Sequence, residues 1–136
     1  PAFLVWRPDK YAEMLAEKIR EHDAEAWLIN TGITGGPYGT GRRVPLKYTR
    51  AMVDAIHDGS LLEASKQTEP VFGLDVPTTC PHVPNELLMP RATWDDPDAY
   101  DAKAEYLVGL FTEHFAQYED MADPEIVKAG PQLQTA

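Results

Sequence analysis

The sequence predicts a mixed α/β fold in which helices outnumber a few short strands. Apolar residues recur at helical spacing in several segments that open with proline or aspartate. Short apolar runs of strand length lie between them, and one runs into a glycine-rich loop. A chain of 136 residues with 43% hydrophobic content can bury a core, so we expect one domain rather than a disordered acidic segment.

The first part of the chain is expected to alternate strand and helix. The apolar run at residues 2–5 is typical of a strand, and a helix is expected from Pro8 to about residue 23, because its apolar residues share one face. Residues 26–29 are predicted to form a buried strand. Residues 31–41 are predicted to be a loop, since five of these eleven residues are glycine.

The middle of the chain carries one further helix and one further strand in this prediction. Residues 44–46 are expected to be extended, because Pro45 is incompatible with a helix interior. A helix is expected over residues 49–58, with Thr49 as a candidate N-cap and Gly59 as its stop. Residues 71–76 alternate enough to predict a strand.

The last part is predicted to be irregular and then helical. Residues 77–90 contain four prolines, which indicates an ordered irregular segment. The longest helix is expected from the Asp95-Asp96 pair to about residue 118, with Pro97 in its first turn. A short helix over residues 123–129 lies between an Asp-Pro start and a Gly-Pro stop.

Charge is unevenly distributed along this acidic chain. The net charge of −10 argues against a nucleic-acid partner, which normally meets a basic face. Residues 26–53, however, contain no acidic residue and carry four bases, namely Arg42, Arg43, Lys47 and Arg50. Such a window indicates a small anionic ligand, with ordinary surface patterning as the alternative.

Hydropathy and cysteine content bear on the compartment. No apolar run reaches the length that crosses a membrane, and no secretory signal opens the sequence, so we expect no membrane partner. The single cysteine, Cys80, cannot form an internal disulfide, which suits a reducing cytoplasm. Cys80 and the nearby His82 are too few for a zinc site. A cytoplasmic location is therefore the expectation.

Any ligand chemistry is expected in the glycine-rich stretch and the basic residues that follow it. Dense glycines let backbone N–H groups approach a ligand. Residues 36–43 approximate a phosphate-binding loop, but Arg42 stands where the lysine belongs and Arg43 where the serine or threonine belongs. Pro45 also blocks the helix whose N-terminus would hold phosphates. A phosphate-binding loop is therefore not expected here.

A longer ordered series of motifs is more specific. It runs through Asn30-Thr-Gly, Gly35-Gly, Tyr38-Gly, Gly41-Arg-Arg, Tyr48-Thr-Arg-Ala-Met-Val-Asp-Ala-Ile, Phe72-Gly-Leu, Val76-Pro, Val83-Pro and Pro90-Arg-Ala-Thr-Trp, and on into the long helix. This series resembles the C-terminal signature of ATP-dependent phosphoenolpyruvate carboxykinases over nearly the whole chain. Ile33 stands where that family has a tryptophan.

The resemblance implies a fold and three nucleotide-binding residues. It implies that residues 1–136 are the C-terminal portion of the family's nucleotide-binding domain, incomplete because the catalytic residues lie upstream. By the same resemblance, Arg43, Val44 and Thr49 contact the nucleotide. A guanidinium can stack on adenine or bridge ribose and phosphate oxygens, and Val44 would offer backbone hydrogen bonds to the base edge. Capping of the following helix is the rival role for Thr49.

The resemblance also implies a reaction, cofactors and partners. The parent enzyme would convert oxaloacetate and ATP to phosphoenolpyruvate, ADP and CO2 in gluconeogenesis. A divalent metal, Mg or Mn, would be held by residues outside this chain, and no catalytic residue or metal ligand is expected within it. The partner would be the N-terminal remainder of the enzyme, and the chain alone is expected to be inactive.

Two alternatives remain open at this point. The chain is either an isolated nucleotide-binding module or an assembly piece that docks on a separate N-terminal chain. The first predicts ATP binding by the chain alone. The second predicts an unusually large exposed apolar surface.

Overall fold

The computed structural model describes residues 5–131 and confirms a helix-rich, mixed α/β chain with a few short strands. The helices and strands within this range are α1 (Pro8–His22), β1 (Ile33–Thr34), β2 (Arg42–Arg43), α2 (Leu46–His57), α3 (Ser60–Glu63), β3 (Lys66–Thr68), β4 (Asp75–Pro77), α4 (Pro97–Phe115) and α5 (Pro124–Lys128). Short 3₁₀ turns lie at Asn85–Leu87, Pro90–Thr93 and Glu119–Met121. The strand expected at residues 2–5 lies, apart from Val5, outside the described residues.

The strands form two separate antiparallel hairpins. In the first, β1 pairs with β2, so that Ile33 lies opposite Arg43 and Thr34 opposite Arg42. In the second, β3 pairs with β4. Two-stranded ribbons of this length are not stable alone, so their positions depend on what they pack against.

The helix starts marked by Asp-Pro are confirmed. The Asp96 carboxylate accepts hydrogen bonds from the backbone N–H groups of Asp98 and Ala99, at 3.0 and 3.2 Å, as an N-cap of α4. Asp123 caps α5 through the N–H of Glu125 at 2.8 Å. In both helices proline occupies the first turn, where no N–H is required. The irregular character of residues 77–90 is also confirmed, whereas α4 ends at Phe115, before the predicted residue 118.

The start of α2 differs from the prediction. The helix begins at Leu46, with Pro45 as its N-cap, so the predicted capping role of Thr49 is wrong. Pro45 is tolerated because it lies just before the helix, where its constrained φ of −58° costs nothing. The predicted stop is confirmed, since Gly59 has a φ of 81° and follows the end of the helix.

Two predicted strands are wrong. Residues 26–29 are irregular and Leu28 is 86% exposed, because no strand within residues 5–131 lies beside them to pair with their backbone. The segment predicted as a strand at residues 71–76 is mostly the turn of the second hairpin, and only its end enters β4. The turn forms because the Glu69 carboxylate accepts the N–H groups of Val71 and Phe72, at 3.0 and 2.6 Å.

The main core is small and joins α2, α3 and the proline-rich segment. Its buried members are Ala55, Leu61, Cys80 and Val83. A further pair on α4, Ala104 and Val108, is also buried.

The accessible surface of the chain is 10418 Å², whereas a folded monomer of 15.2 kDa exposes about 7,100 Å². The chain therefore leaves uncovered much surface that a self-contained domain would bury.

Large apolar side chains account for part of this exposed surface. Those at least half exposed are Val5, Trp6, Leu15, Leu28, Tyr38, Leu46, Tyr106 and Phe111. Large apolar side chains that are exposed together in one patch are typical of an interaction face. Among the helices at residues 5–131, none combines the length and apolar character that crossing a bilayer demands.

Candidate functional site

The candidate site is built on the β1–β2 hairpin, and Asn30 shapes the entry to it. The Asn30 Oδ1 accepts the N–H of Gly32 at 2.9 Å, and its Nδ2 donates to the carbonyl oxygen of Ile33 at 3.1 Å. Val44 then donates its backbone N–H to the carbonyl oxygen of Gly32 at 2.9 Å, which closes the base of the hairpin. The Asn30-Thr-Gly motif is therefore the folded entry to the hairpin.

The tip of the hairpin is a tight turn. Thr40 and Gly41 donate backbone N–H hydrogen bonds to the carbonyl oxygen of Pro37, at 3.0 and 2.8 Å. Gly41 packs so closely on Gly36 and Ile33 that a Cβ at this position would overlap both. These two N–H groups are already bonded within the turn, so they are not available to a phosphate.

Thr93 ties this hairpin to a distant part of the chain. Its Oγ1 lies 2.8 Å from the Oγ1 of Thr34 and accepts the N–H of Gly35 at 3.0 Å. The same hydroxyl donates to the carbonyl oxygen of Pro90 at 2.7 Å. Thr34 is only 8% exposed, so this polar contact is inside the structure. Gly35 has a φ of 76°, and a Cβ there would lie 2.9 Å from the carbonyl oxygen of Thr93.

The three residues expected to bind nucleotide lie in one continuous segment from β2 into α2. Arg43 is exposed on β2, Val44 is buried at 7% exposure, and Thr49 is half-buried in the first turn of α2. The N–H of Val44 is used within the hairpin. None of these three residues lines either of the two surface clefts described next.

The first cleft, of about 490 Å³, runs along the side of α2 that carries Lys47, Arg50 and Asp54. Its lining residues are Lys47, Arg50, Ala51, Asp54, Ala55, Asp58, Pro81 and His82. Hydrogen bonds from Ser60 lower the pKa of the Asp58 carboxyl, so Asp58 is an anion at neutral pH. Lys47 and Arg50, two of the four bases in residues 26–53, therefore line a cleft that also contains carboxylates. The other two bases, Arg42 and Arg43, are not among its lining residues.

The second cleft, of about 350 Å³, lies between the start of α1, the end of α4 and α5. Apolar side chains dominate its lining, among them Phe111, Phe115, Tyr118 and Ile126. Carboxylates of Asp9, Glu13 and Asp123 also border it. No Lys or Arg side chain is among its lining residues to balance the charge of a nucleotide phosphate.

A divalent metal does not fit the residues described. Across residues 5–131, no group of three or more His, Cys, Asp or Glu side chains is arranged to hold a metal ion. Cys80 is a buried free thiol in the core cluster, and burial raises its pKa. A neutral thiol is a poor metal ligand.

The contact between Thr34 and Thr93 was missed by sequence reasoning. The two residues are 59 positions apart, and no local pattern links them. Thr93 does stand in the Pro90-Arg-Ala-Thr-Trp motif, which the family resemblance had singled out without assigning it a role.

Comparison with known proteins identifies the relatives of this chain. The profile of the phosphoenolpyruvate carboxykinase family matches residues 1–86. Phosphoenolpyruvate carboxykinase (ATP) 2 of Salinibacter ruber is 78% identical over 135 residues, which are 99% of this chain and 26% of that protein. Phosphoenolpyruvate carboxykinase (ATP) 1 of the same organism is 51% identical over 98% of this chain and 25% of that protein. The Dictyostelium discoideum phosphoenolpyruvate carboxykinase (ATP) is 51% identical over 96% of this chain and 23% of that protein. The chain thus spans about a quarter of the length of these relatives.

Proposed function

The chain belongs to the ATP-dependent phosphoenolpyruvate carboxykinase family, and on that premise we propose that it is the adenosine-binding, C-terminal part of such an enzyme. The whole enzyme converts oxaloacetate and ATP to phosphoenolpyruvate, ADP and CO2, a reaction of gluconeogenesis, in the cytoplasm. In this proposal residues 1–136 are an incomplete part of the nucleotide-binding domain. The remainder of the polypeptide supplies the catalytic residues and covers the exposed apolar surface.

The observation that carries this proposal is the placement of Arg43. The side chain is exposed on a hairpin that is held from two sides, by Asn30 at its base and by Thr93 at β1. A planar guanidinium carried on a supported backbone can stack on adenine or bridge ribose and phosphate oxygens. Arg43 also lies within residues 26–53, which contain no Asp or Glu.

Val44 and Thr49 complete the proposed contacts. The Val44 N–H is already bonded to the carbonyl oxygen of Gly32. In the proposal, the Val44 carbonyl oxygen is therefore the backbone group that accepts a hydrogen bond from the exocyclic amino group of adenine. The Thr49 hydroxyl is not the N-cap of α2, which removes the main competing role for it. In the proposal this hydroxyl donates to or accepts from the ribose.

The contribution of this chain to the reaction is binding and orientation. Loss of CO2 from oxaloacetate leaves an enolate, whose oxygen attacks the γ-phosphorus of ATP while the bond to the leaving ADP oxygen breaks. The divalent metal that neutralises the phosphate charge, Mg or Mn, is assigned to residues outside this chain. Arg43, Val44 and Thr49 hold the adenosine end so that the γ-phosphoryl group is presented to the enolate.

A chimeric enzyme tests this function. The chain would replace the matching quarter of the Salinibacter ruber phosphoenolpyruvate carboxykinase (ATP) 2, to which it is 78% identical. We expect ATP-dependent formation of phosphoenolpyruvate from oxaloacetate. Loss of the guanidinium in Arg43→Ala should raise the KM for ATP by about 10- to 100-fold.

Arg42→Ala is the matched control. Arg42 precedes Arg43 on the same two-residue strand and is also exposed, but consecutive side chains of a strand point to opposite faces. We expect its KM for ATP to stay within about 2-fold of the parent chimera. A folded chimera without activity, or equal effects of the two substitutions, would contradict the proposal.

A second candidate function is supported by the large accessible surface of the chain. The chain exposes 10418 Å², well beyond the roughly 7,100 Å² of a self-contained domain of its mass, which favours an assembly piece that docks on the rest of the enzyme. The chain alone would then associate with the remaining three quarters of the relative without measurable ATP binding. If the isolated chain binds ATP, and Arg43→Ala abolishes that binding, it is a nucleotide-binding module instead.

A further inference from the structure

We propose that Thr93 is a positioning residue for ATP binding, which acts by holding the hairpin that carries Arg43 and Val44. This inference rests on the proposed function of those two residues. Thr93 is half-buried and its hydroxyl is directed at β1, so it acts through the hairpin.

The hydrogen-bond capacity of the Thr93 hydroxyl is fully used. A hydroxyl has one proton to donate and two lone pairs that accept. Its proton goes to the carbonyl oxygen of Pro90 at 2.7 Å, and one lone pair accepts the Gly35 N–H at 3.0 Å. The 2.8 Å contact with Thr34 must therefore have Thr34 as the donor. Three bonds through one oxygen fix both the direction and the distance of β1 relative to the Pro90–Thr93 turn.

That turn is itself anchored to the longest helix. Arg91 forms two parallel hydrogen bonds with the Asp101 carboxylate of α4, both of 2.8 Å. Trp94 packs edge-on against Tyr100, with ring centroids 5.6 Å apart. A displacement of α4 is therefore transmitted to Thr93 and, through it, to β1.

The hairpin depends on this external support. Each of its strands has two residues, so its own ladder holds it weakly. Thr34 and Gly35, which bond to Thr93, directly follow Ile33, the residue paired with Arg43. Without the Thr93 hydroxyl, Thr34 and Gly35 lose these two contacts to the rest of the chain, and the position of the backbone that carries Arg43 becomes less defined.

Substitution of Thr93 in the chimera tests the inference. Thr93→Val keeps the shape of the side chain and removes all three hydrogen bonds, whereas Thr93→Ser keeps the hydroxyl. We expect Thr93→Val to raise the KM for ATP about 10-fold, which corresponds to the loss of one to two net hydrogen bonds. The KM for oxaloacetate and kcat should stay within about 2-fold, and Thr93→Ser should restore the parent KM for ATP.

Each other outcome has a defined meaning. If Thr93→Val changes kcat and both KM values equally, or leaves all three unchanged, the positioning role is wrong. If Thr93→Val does not fold, Thr34→Val in the same chimera takes its place, since it removes only the Thr34–Thr93 bond and leaves Gly35 bonded. An unchanged KM for ATP in that variant also overturns the inference. The proposed function fails separately, through an inactive parent chimera or an Arg43→Ala variant without effect.

Discussion

Gly35 and Thr93 approach so closely that no side chain fits between them: a Cβ on Gly35 would lie 2.9 Å from the Thr93 carbonyl oxygen. The obstructing atom is backbone and cannot rotate away. The φ of 76° at Gly35 is also one that residues with a Cβ rarely adopt. Glycine is therefore required at position 35 for two independent reasons.

Gly35→Ala should consequently destabilise the chain more than a glycine-to-alanine substitution at another position with a similar positive φ. Gly59 is the matched control, because its φ is 81° and nothing lies within 4 Å of a Cβ there. We expect Gly59→Ala to cost about 1 kcal/mol and Gly35→Ala roughly 2–4 kcal/mol. Urea unfolding of both variants measures the difference, and equal costs would contradict the close contact.

The core cluster predicts a contrast between two adjacent leucines of α3. Leu61 is 4% exposed and packs among Ala55, Cys80 and Val83, whereas Leu62 is 43% exposed. Leu61→Ala should lower the free energy of unfolding by about 2–5 kcal/mol, because it leaves a cavity. Leu62→Ala should cost less than about 1 kcal/mol. Denaturant unfolding of the chain alone is the measurement, and similar losses for both would show that the core lies elsewhere.

The buried thiol predicts a dependence of stability on alkaline pH. Burial, with a smaller effect of the Asp58 charge, raises the pKa of Cys80. A raised folded-state pKa gives a stabilising contribution that is complete below the unfolded pKa of about 8.5 and is lost as the pH rises above it. At pH values above the unfolded pKa, the unfolding midpoint of the parent chain should therefore decrease relative to that of Cys80→Ala.

Thiol reactivity provides the control for the same residue. At pH 8 the native chain should react with a thiol reagent far more slowly than the urea-unfolded chain, since both burial and the neutral form protect the sulfur. Equal rates in the two states would show that Cys80 is accessible and would remove the basis of the alkaline prediction.

The ion pair between Arg91 and Asp101 predicts a dependence on acidic pH. Hydrogen bonding from Arg91 holds the pKa of Asp101 below its ordinary value. A lowered pKa stabilises the fold above the unfolded Asp value of about 3.9, and this contribution is lost as the pH falls through the folded-state pKa. Because both groups are exposed, Asp101→Asn should lower the Tm near pH 7 by no more than about a few degrees.

Two conditions should reduce that difference in Tm. Once the pH has fallen below the folded-state pKa of Asp101, the carboxyl of the parent chain is protonated, so parent and Asp101→Asn should converge. In 1 M salt the difference should also shrink, because the screening length falls to about 3 Å. A difference that persists unchanged at low pH would mean that the substitution acts through packing rather than charge.

Local sequence signals determined the parts of this protein whose structure depends only on neighbouring residues. The Asp-Pro starts of α4 and α5 and the Gly59 stop act within one helical turn and are confirmed. The ordered motifs likewise identified the family, because they record residue types and spacings rather than contacts.

Tertiary structure decided what depends on distant partners. A strand exists only where another strand supplies its hydrogen bonds, so residues 26–29 are apolar yet irregular, and residues 71–76 turn instead of pairing as predicted. The Thr34–Thr93 bond joins residues that no periodicity relates, and with the Gly35–Thr93 bond it connects the glycine-rich hairpin to the Pro90–Thr93 turn. Arg43, Val44 and Thr49 were candidates from their residue types and motif, whereas the support of the hairpin beneath Arg43 comes from chain folding, which brings the Pro90–Thr93 turn against β1.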